Sequence, residues 1–343
     1  MIFVFMALWT TGWILAARLR RPDTTPGPCH ALQTSIIIPA RNEAHNLPRL
    51  LQSIAAQPVR PREILVVDDG SSDHTAAIAR DMGATVISSQ PLPDGWRGKT
   101  WACHQGALAA QGDRLLFMDA DTWLEPDGLR HLLGIRHDGA LSVVPYHAVR
   151  RTCEDLSLFF NLCMTAGTVP AGLAGQVLLV GRRHYQRVGG HAAVRGHILE
   201  NFRLAQHFRS AGIPLRSLTG KGLVCFRMYP DGLREMVHGW AKGFAAGAGG
   251  TPPRTLLLVI AWLAGLLLAP QAGLLTGEWL LWGPACVLCS LQVAWIARKL
   301  GDFGWPLMLL YPVPLVFFCG LFGWSAMRSG KTVTWKGRRI HAD

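Results

Sequence analysis

The sequence predicts an α/β fold, in which helices cover a mostly parallel β-sheet, together with membrane-inserted segments at both ends of the chain. Between residues 33 and 215, short apolar runs typical of buried strands alternate with segments of helical periodicity. Long apolar stretches lie outside this region. Alternating strands and helices favour a parallel sheet with right-handed crossovers, so the polar loops that follow the strands are expected to face one crevice.

The two patterns assign the elements of this sheet in order. Strands are predicted at 34–39, 63–67, 84–87, 115–118, 140–145 and 176–181. Helices are predicted at 44–56, 74–82, 99–110, 154–166, 182–188 and 198–210.

Two carboxylates, Asp119 and Asp121, directly follow the fourth strand. Ligands of open α/β sheets collect at the carboxyl ends of the strands. If the backbone leaves the extended form there, both side chains can turn toward one point, where a hard divalent cation would hold them together. An acidic turn after the strand is the alternative interpretation. Asp119-Ala120-Asp121 is therefore a candidate metal site.

The composition indicates that part of the chain lies in lipid. Hydrophobic residues make up 50% of the 343 residues and charged residues only 16%. The net charge is +12, and basic residues cluster at 18–21, 298–299 and 328–339, each time beside an apolar run, which favours a membrane surface over nucleic acid. The eight cysteines are scattered and predict neither a disulfide framework nor a zinc site.

The first apolar run, residues 2–17, predicts a membrane anchor. Positive charge precedes the apolar core of a signal peptide, whereas here Arg18, Arg20 and Arg21 follow it, which predicts that the C-terminal end of the anchor is cytoplasmic. Five regions are expected: an N-terminal transmembrane anchor (1–20), a catalytic α/β domain (33–230), an interfacial amphipathic helix (231–250), a transmembrane region (255–327) and a basic cytoplasmic tail (328–343).

Three apolar stretches, at 255–275, 279–297 and 305–327, each approach the length of a membrane-spanning helix. Three crossings would place the basic tail outside the cell, against the positive-inside tendency. Tyr311-Pro312-Val313-Pro314 lies near the centre of the third stretch and predicts a bent or re-entrant hairpin. The expected location is the plasma membrane, with several passes and a cytoplasmic catalytic domain.

Three polar motifs follow the first, second and fourth strands: residues 39–43 (PARNE), 67–73 (VDDGSSD) and 119–121 (DAD). As an ordered set they resemble the family 2 glycosyltransferases, which have the Rossmann-like GT-A fold. Residues 95–99 (GWRGK), 239–243 (GWAKG) and 333–338 (VTWKGR) are similar to the membrane-anchored branch that includes the diaponeurosporenoate (carotenoid acid) glycosyltransferases.

The resemblance implies a nucleotide-diphosphate sugar donor and a divalent metal, Mn or Mg. It implies that Asp121 binds the metal and that Asp119 lies near both the metal and the ribose. The implied contacts to the base and ribose are Pro39, Ala40, Arg41, Glu43 and Asp69; a turn acid or a helix cap is the alternative for Asp69. Lys99 lies at a helix start, where an ammonium and amide groups could bind phosphate, with a surface lysine as the alternative.

Transfer in a single displacement that inverts the sugar carbon needs a base for the acceptor's proton. Family members carry an acidic pair on the helix after the Gly-Gly turn, and here that pair reads Glu200-Asn201. An amide cannot accept a proton at neutral pH. Either Glu200 is the base, or the acceptor is already an anion such as a carboxylate or phosphate. A glutamate on the helix surface is the alternative interpretation of Glu200.

The segment around Trp240 and Lys242 stands where processive family members carry a Gln-x-x-Arg-Trp pattern, which this chain lacks. That favours a single transfer to a lipid, although a simple amphipathic anchor would look the same. Trp96, Asn201, Trp240 and Lys242 are the candidate contacts to the acceptor or to phosphate.

The sequence thus predicts an inverting glycosyltransferase whose acceptor is a membrane lipid, a carotenoid acid or a related isoprenoid. The alternatives are a sugar transferase to polyprenyl phosphate, hopanoid or glycerolipid, or a non-catalytic nucleotide-binding membrane scaffold, which Asn201 would favour.

Overall fold

The computed structural model describes residues 1–19, 27–197, 200–241, 250–327, 333–335 and 338–340. The helices are α1 (Ile2–Arg18), α2 (Leu47–Ala55), α3 (Thr75–Asp81), α4 (Gly98–Ala109), α5 (Gly128–Gly134), α6 (Leu158–Thr168), α7 (Arg182–Arg187), α8 (Glu200–Ser210), α9 (Leu233–Ala241), α10 (Pro253–Thr276), α11 (Trp279–Ala297), α12 (Trp305–Leu309) and α13 (Pro312–Met327). The strands are β1 (Thr34–Ala40), β2 (Glu63–Asp68), β3 (Thr85–Ser88), β4 (Arg114–Met118), β5 (Thr122–Leu124), β6 (Ala140–Val144), β7 (Tyr146–His147), β8 (Val177–Gly181), β9 (Leu215–Thr219), β10 (Val224–Phe226), β11 (Val333–Trp335) and β12 (Arg338–Ile340).

The chain divides into two compact units. The sheet unit contains Arg21–Pro145, Pro170–Phe226 and Gly330–Asp343. The helical unit contains Met1–Arg20, Tyr146–Val169 and Arg227–Ser329.

A seven-stranded sheet in the order β3-β2-β1-β4-β8-β6-β9 forms the centre of the sheet unit. Neighbouring strands from β3 to β4 are parallel, and so are β6 and β9. The predicted mostly parallel α/β sheet is therefore confirmed, with one exception: β8 runs antiparallel to both β4 and β6. A strand buried on both faces has the same apolar sequence in either direction, so its pattern could not reveal this reversal.

Burial on both faces of the sheet explains why the strands are continuously apolar. Ile36 and Ile38 of β1 pack with the apolar face of α2, whereas Ile37 faces the other layer, with Ala102 of α4. Because helices cover both faces of the described sheet, the strand ends and the loops that follow them are where a ligand can approach.

Several predicted boundaries shift. The second helix starts at Leu47 rather than at residue 44, and the helix expected at 154–166 is a 3₁₀ segment, Thr152–Ser157, followed by α6. The short strands β5, β7, β9, β10, β11 and β12 were not predicted. The helix predicted within 231–248 appears as α9, and residues 242–249, which include Lys242, lie outside the described residues.

In the helical unit, α10 and α11 are long and apolar enough to cross a membrane, judged by length and composition within the described residues. Helices α1 and α13 are shorter apolar helices. Buried Gln292 of α11 joins α10 and α1: its side chain accepts a hydrogen bond from Trp262 Nε1 at 2.8 Å and donates one to the Trp9 carbonyl at 3.2 Å. The first helix is thus bonded into a helical bundle.

The third apolar stretch is not one continuous helix. It forms α12 and α13, with the interruption at Leu310 and Tyr311, directly before Pro312. The break lies where proline was expected to disturb the helix, because proline lacks a backbone N–H. A re-entrant course for this segment stays a prediction.

Candidate functional site

The loops that follow β1 and β2 form a single hydrogen-bonded framework. Asp69 is buried, and its backbone N–H donates to the Ala40 carbonyl at 2.8 Å. The Arg41 guanidinium donates to the Asp69 carbonyl and lies 3.8 Å from the Asp69 carboxylate. Residues 39–41 and 69 are thereby brought together at one edge of the sheet.

Further along, the same two loops interlock through side chains. Asn42, which has a φ of 53°, donates its backbone N–H to Ser71 Oγ at 2.9 Å, and the Glu43 N–H donates to Thr75 Oγ1 at 2.8 Å. Burial alone would raise the pKa of Asp73, but hydrogen bonds from Thr75 and the Ala44 N–H lower it below its usual value. This ionised aspartate secures the loop that holds Asp69.

Lys99 bridges the two parts of the predicted site. Its Nζ lies 2.7 Å from each Asp119 carboxylate oxygen, 3.1 Å from the Gly175 carbonyl and 4.0 Å from Glu200 Oε1. Burial would lower the pKa of Lys99, but Asp119 and Glu200 outweigh it and raise the pKa. The ammonium therefore stays charged and joins the carboxylate after β4 to the carboxylate that begins α8.

Asp121 carries an unsatisfied carboxylate oxygen. Its Oδ1 is buried and has no hydrogen-bond partner among the residues that the structure describes. Burial raises the pKa of Asp121, and the neighbouring Asp119 raises it further. A divalent cation would satisfy this oxygen and stabilise the ionised form.

The carboxylates present suit a divalent cation whose remaining ligands come from the bound substrate. Within the described ranges no group of three His, Cys, Asp or Glu side chains could enclose a metal ion. Magnesium-type sites commonly use one or two carboxylates and complete their coordination with substrate phosphates and water. Asp119 and Asp121 fit such a site, although Lys99 already neutralises Asp119.

Glu200 begins α8 as a mostly buried carboxylate. Burial raises its pKa, while the nearby Lys99 ammonium opposes that effect. The Asn201 amide donates to Glu200 Oε1 at 3.1 Å. Asn201 therefore orients Glu200 but offers no second carboxylate.

Gly175 is a site residue that the sequence analysis missed. A Cβ atom at this position would lie 2.2 Å from Asn201 Nδ2, so any side chain would displace the amide. An isolated glycine just ahead of a predicted strand is the sequence signal that could have indicated such a close approach.

The candidate acceptor contacts belong to both units. In the sheet unit, Trp96 packs with Trp101 and His104, at ring-centroid distances of 4.7 and 5.0 Å. In the helical unit, the buried Trp240 stacks on Phe160 at 4.7 Å. The roles of Trp96 and Trp240 as acceptor contacts stay predictions.

A Rossmann-like sheet with an aspartate pair, a lysine and a glutamate at its edge is the GT-A architecture of a glycosyltransferase. Comparison with known proteins agrees: the family model of glycosyl transferase family 2 matches residues 35–159. The chain belongs to glycosyl transferase family 2, so it is an enzyme and the scaffold alternative is set aside.

The relatives extend this likeness to almost the whole chain. It is 35% identical over 328 residues to the 4,4'-diaponeurosporenoate glycosyltransferase of Staphylococcus aureus strain MRSA252, covering 89% of this chain and 87% of the relative. The protein of the same name from strain USA300 is 34% identical over the same shares. Among solved structures, the mannosyltransferase PcManGT of Pyrobaculum calidifontis, in complex with GDP-Man and Mn²⁺, is similar in fold, with a TM-score of 0.55 and 19% identity over 94% of this chain and 97% of that one.

Proposed function

We propose that this glycosyltransferase moves one sugar, with inversion, from a nucleotide-diphosphate donor to a carboxylic acid lipid, a carotenoid acid or related isoprenoid acid. The observation that carries the proposal is that the carboxylates of Asp119 and Glu200 both lie within 4.0 Å of the Lys99 ammonium, which supports a donor role for Asp119 and an acceptor role for Glu200 in one site. The name of the Staphylococcus aureus relatives supports a carotenoid carboxylate as the acceptor.

The donor side is assigned to the loops after β1, β2 and β4. Pro39, Ala40, Arg41, Glu43 and Asp69 would bind the nucleoside. Asp119 and Asp121 would hold Mn²⁺ or Mg²⁺, and the unpartnered Asp121 oxygen supports this assignment. When bound, such a cation neutralises the charge of the departing diphosphate.

Glu200 is proposed as the base. A carboxylic acid drawn from an apolar layer has a raised pKa, because burial disfavours its anion, and it therefore arrives carrying its proton. Glu200 would take that proton as the new bond to the sugar forms. Asn201 would orient Glu200 and, as a neutral amide, would add no second negative charge beside the acceptor as it loses its proton.

The chain is also proposed to be membrane-bound. The support is the two helices, α10 and α11, that are long and apolar enough to span, with α1 bonded to them through Gln292. The five regions proposed from the sequence (1–20, 33–230, 231–250, 255–327 and 328–343) describe a multi-pass plasma-membrane protein with a cytoplasmic catalytic domain and a basic tail.

The test uses the full chain in lipid nanodiscs with Mn²⁺ and a panel of UDP- and GDP-hexoses. A long isoprenoid carboxylic acid, a polyprenyl phosphate, a hopanoid and a diacylglycerol are supplied in turn, and nucleotide release and product mass are measured. We expect release that depends on the carboxylic acid, with a glycosyl ester of inverted configuration as the product. Nucleotide release that occurs with one of the other acceptors but not with the carboxylic acid would refute the proposed acceptor class.

Two variants test the assigned residues in the same assay. Glu200→Gln is expected to lower turnover by about 10²-fold or more, the usual contribution of a positioned base. Asp138→Asn, which removes an exposed acid elsewhere in the sheet unit, is the matched control and should retain turnover. Unchanged turnover in Glu200→Gln would show that Glu200 is not the base.

A further inference from the structure

Two segments of the sheet unit are joined by hydrogen bonds beside the candidate site. One is the segment 95–99, which contains the start of α4 and carries Lys99, and the other is 195–197, which precedes α8 and its first residue, Glu200. The Arg97 backbone N–H donates to the Arg195 carbonyl at 3.0 Å, and its Nε donates to the Gly196 carbonyl at 3.1 Å. We refer to these contacts between Arg97 and residues 195–196 as the clasp.

Neighbouring groups reinforce the clasp. The buried Thr100 hydroxyl lies 2.9 Å from the Arg97 carbonyl and 3.1 Å from the Arg195 carbonyl. A Cβ at Gly196 would lie 3.3 Å from the Gly95 carbonyl, which shows how closely the two backbones approach. The Thr100 hydroxyl thus lies between two carbonyls that belong to different segments.

The position of the clasp connects it to the chemistry. Lys99 lies two residues after Arg97 and contacts Asp119, whereas Glu200 lies four residues after Gly196. The two joined segments thus carry the two groups, Lys99 Nζ and Glu200 Oε1, that lie 4.0 Å apart. Sugar transfer is sensitive to such distances, because misplacing a reacting group by about 1 Å can cost about 10²-fold in rate.

We propose that Arg97 is a positioning residue: through the clasp it sets the place of Glu200 relative to Lys99 and Asp119. The inference rests on the proposed role of Glu200 as the base. Arg97 acts through backbone carbonyls of the segment before α8, so its loss should impair proton removal from the acceptor rather than binding of the donor.

The test is a double-mutant cycle on the full chain in nanodiscs. In the wild-type background, Arg97→Ala is expected to lower kcat by about 10- to 100-fold, with the KM for the donor changed by less than about threefold. In the Glu200→Gln background the same substitution should cost little more, because the group it positions is already lost. Arg97→Lys should recover part of kcat, since an ammonium can still donate to the Gly196 carbonyl.

Arg195→Ala is the matched control. It removes an exposed arginine side chain from the same junction and keeps the backbone carbonyl that Arg97 uses, so kcat should stay near that of the wild type. If Arg97→Ala does not fold, Thr100→Val enters the same cycle, because it removes a hydroxyl of the junction at nearly constant volume.

The outcomes separate this inference from the proposed function. Equal fold losses for Arg97→Ala in both backgrounds, together with a lowered melting temperature, would show a merely structural role and overturn the inference while Glu200 remains the base. If Glu200→Gln alone leaves turnover unchanged, the base assignment fails, and the positioning role of Arg97 fails with it.

Discussion

The Lys99 ammonium lies 2.7 Å from both carboxylate oxygens of Asp119, the position in which a divalent cation would also be expected. The protein thus supplies its own cation to a proposed metal ligand. A divalent cation and the Lys99 ammonium would compete for Asp119, because two positive charges beside the same carboxylate repel each other.

The competition predicts the effect of Lys99→Met on metal binding. Without nucleotide, the variant should bind Mn²⁺ about tenfold more tightly than the wild type, since one repelling charge is gone. Titration followed by electron paramagnetic resonance measures this directly, and replacing the exposed Lys221 by Met is the control. Weaker Mn²⁺ binding in Lys99→Met would show that Lys99 supports the metal rather than competing with it.

We expect Asp121 to be needed for metal binding but not for the stability of the metal-free protein. Burial raises the pKa of Asp121, so its ionised form destabilises the metal-free fold, and Asp121→Asn should unfold at a temperature no lower than the wild type. Adding Mn²⁺ should raise the melting temperature of the wild type, because a ligand of the folded state stabilises it, and should leave Asp121→Asn unchanged. An equal Mn²⁺-dependent rise in both proteins would remove Asp121 from the metal site.

Gly175 predicts a loss of activity from one added methyl group. The methyl group introduced by Gly175→Ala would meet the Asn201 amide at 2.2 Å, so the amide must move and release Glu200. We expect kcat to fall about tenfold or more, and the cost in unfolding free energy to stay near about 1 kcal/mol, because the clashing group is a side chain. Gly181→Ala is the control, because a Cβ at that position would lie 3.8 Å from its nearest neighbour, His184 Nδ1. Wild-type kcat in Gly175→Ala would show that Asn201 does not orient Glu200.

The sequence predicts those elements of the fold that a short stretch of residues defines by itself. Apolar runs ending in Pro39 or in Asp119 identify strands and their functional ends without further information, and both lie at the ends of neighbouring parallel strands. Strand β8 was found but not its direction, because burial on both faces leaves no directional pattern. Fold class is therefore readable from the chain, whereas the orientation of one strand is not.

In the site, likewise, the sequence predicts individual residues but not the contacts between them. Asp119, Asp121 and Glu200 were proposed from motif order, but the pairing of Lys99 with Asp119 joins residues 20 positions apart, and the Arg97 clasp joins residues 99 apart. Such contacts depend on the packing of α4 against the segment before α8, which no periodicity encodes. The sequence around Gly175 could indicate a close approach, but only the fold shows that the approaching group is the Asn201 amide.

We expect the hydrogen bonds of Gln292 to contribute to the free energy of unfolding of the helical bundle. In Gln292→Leu the Trp262 N–H and the Trp9 carbonyl lose the side chain that joins them, which should destabilise the bundle by about 1 kcal/mol, the usual net contribution of an intramolecular hydrogen bond. Thermal unfolding in detergent is the measurement, and Gln271→Leu, at an exposed position of α10, is the control. Equal stability of the two variants would show that the polar contact contributes nothing beyond packing.

The buried Glu154 in the helical unit predicts a loss of stability in acid. Burial alone would raise the pKa of Glu154, but its hydrogen bonds with the Arg227 guanidinium and with the Arg150 N–H lower it below the unfolded value. A carboxylate with a depressed pKa stabilises the fold above its unfolded pKa of about 4.3, and this contribution disappears as the pH falls through the lower folded value. Unfolding measured from about pH 7 to about pH 3 should therefore show a decline in the wild type that is smaller in Glu154→Gln. At neutral pH, Glu154→Gln should be the less stable protein, because the Arg227 charge loses its partner. Parallel pH profiles for the two proteins would show that this ion pair does not set the acid limit.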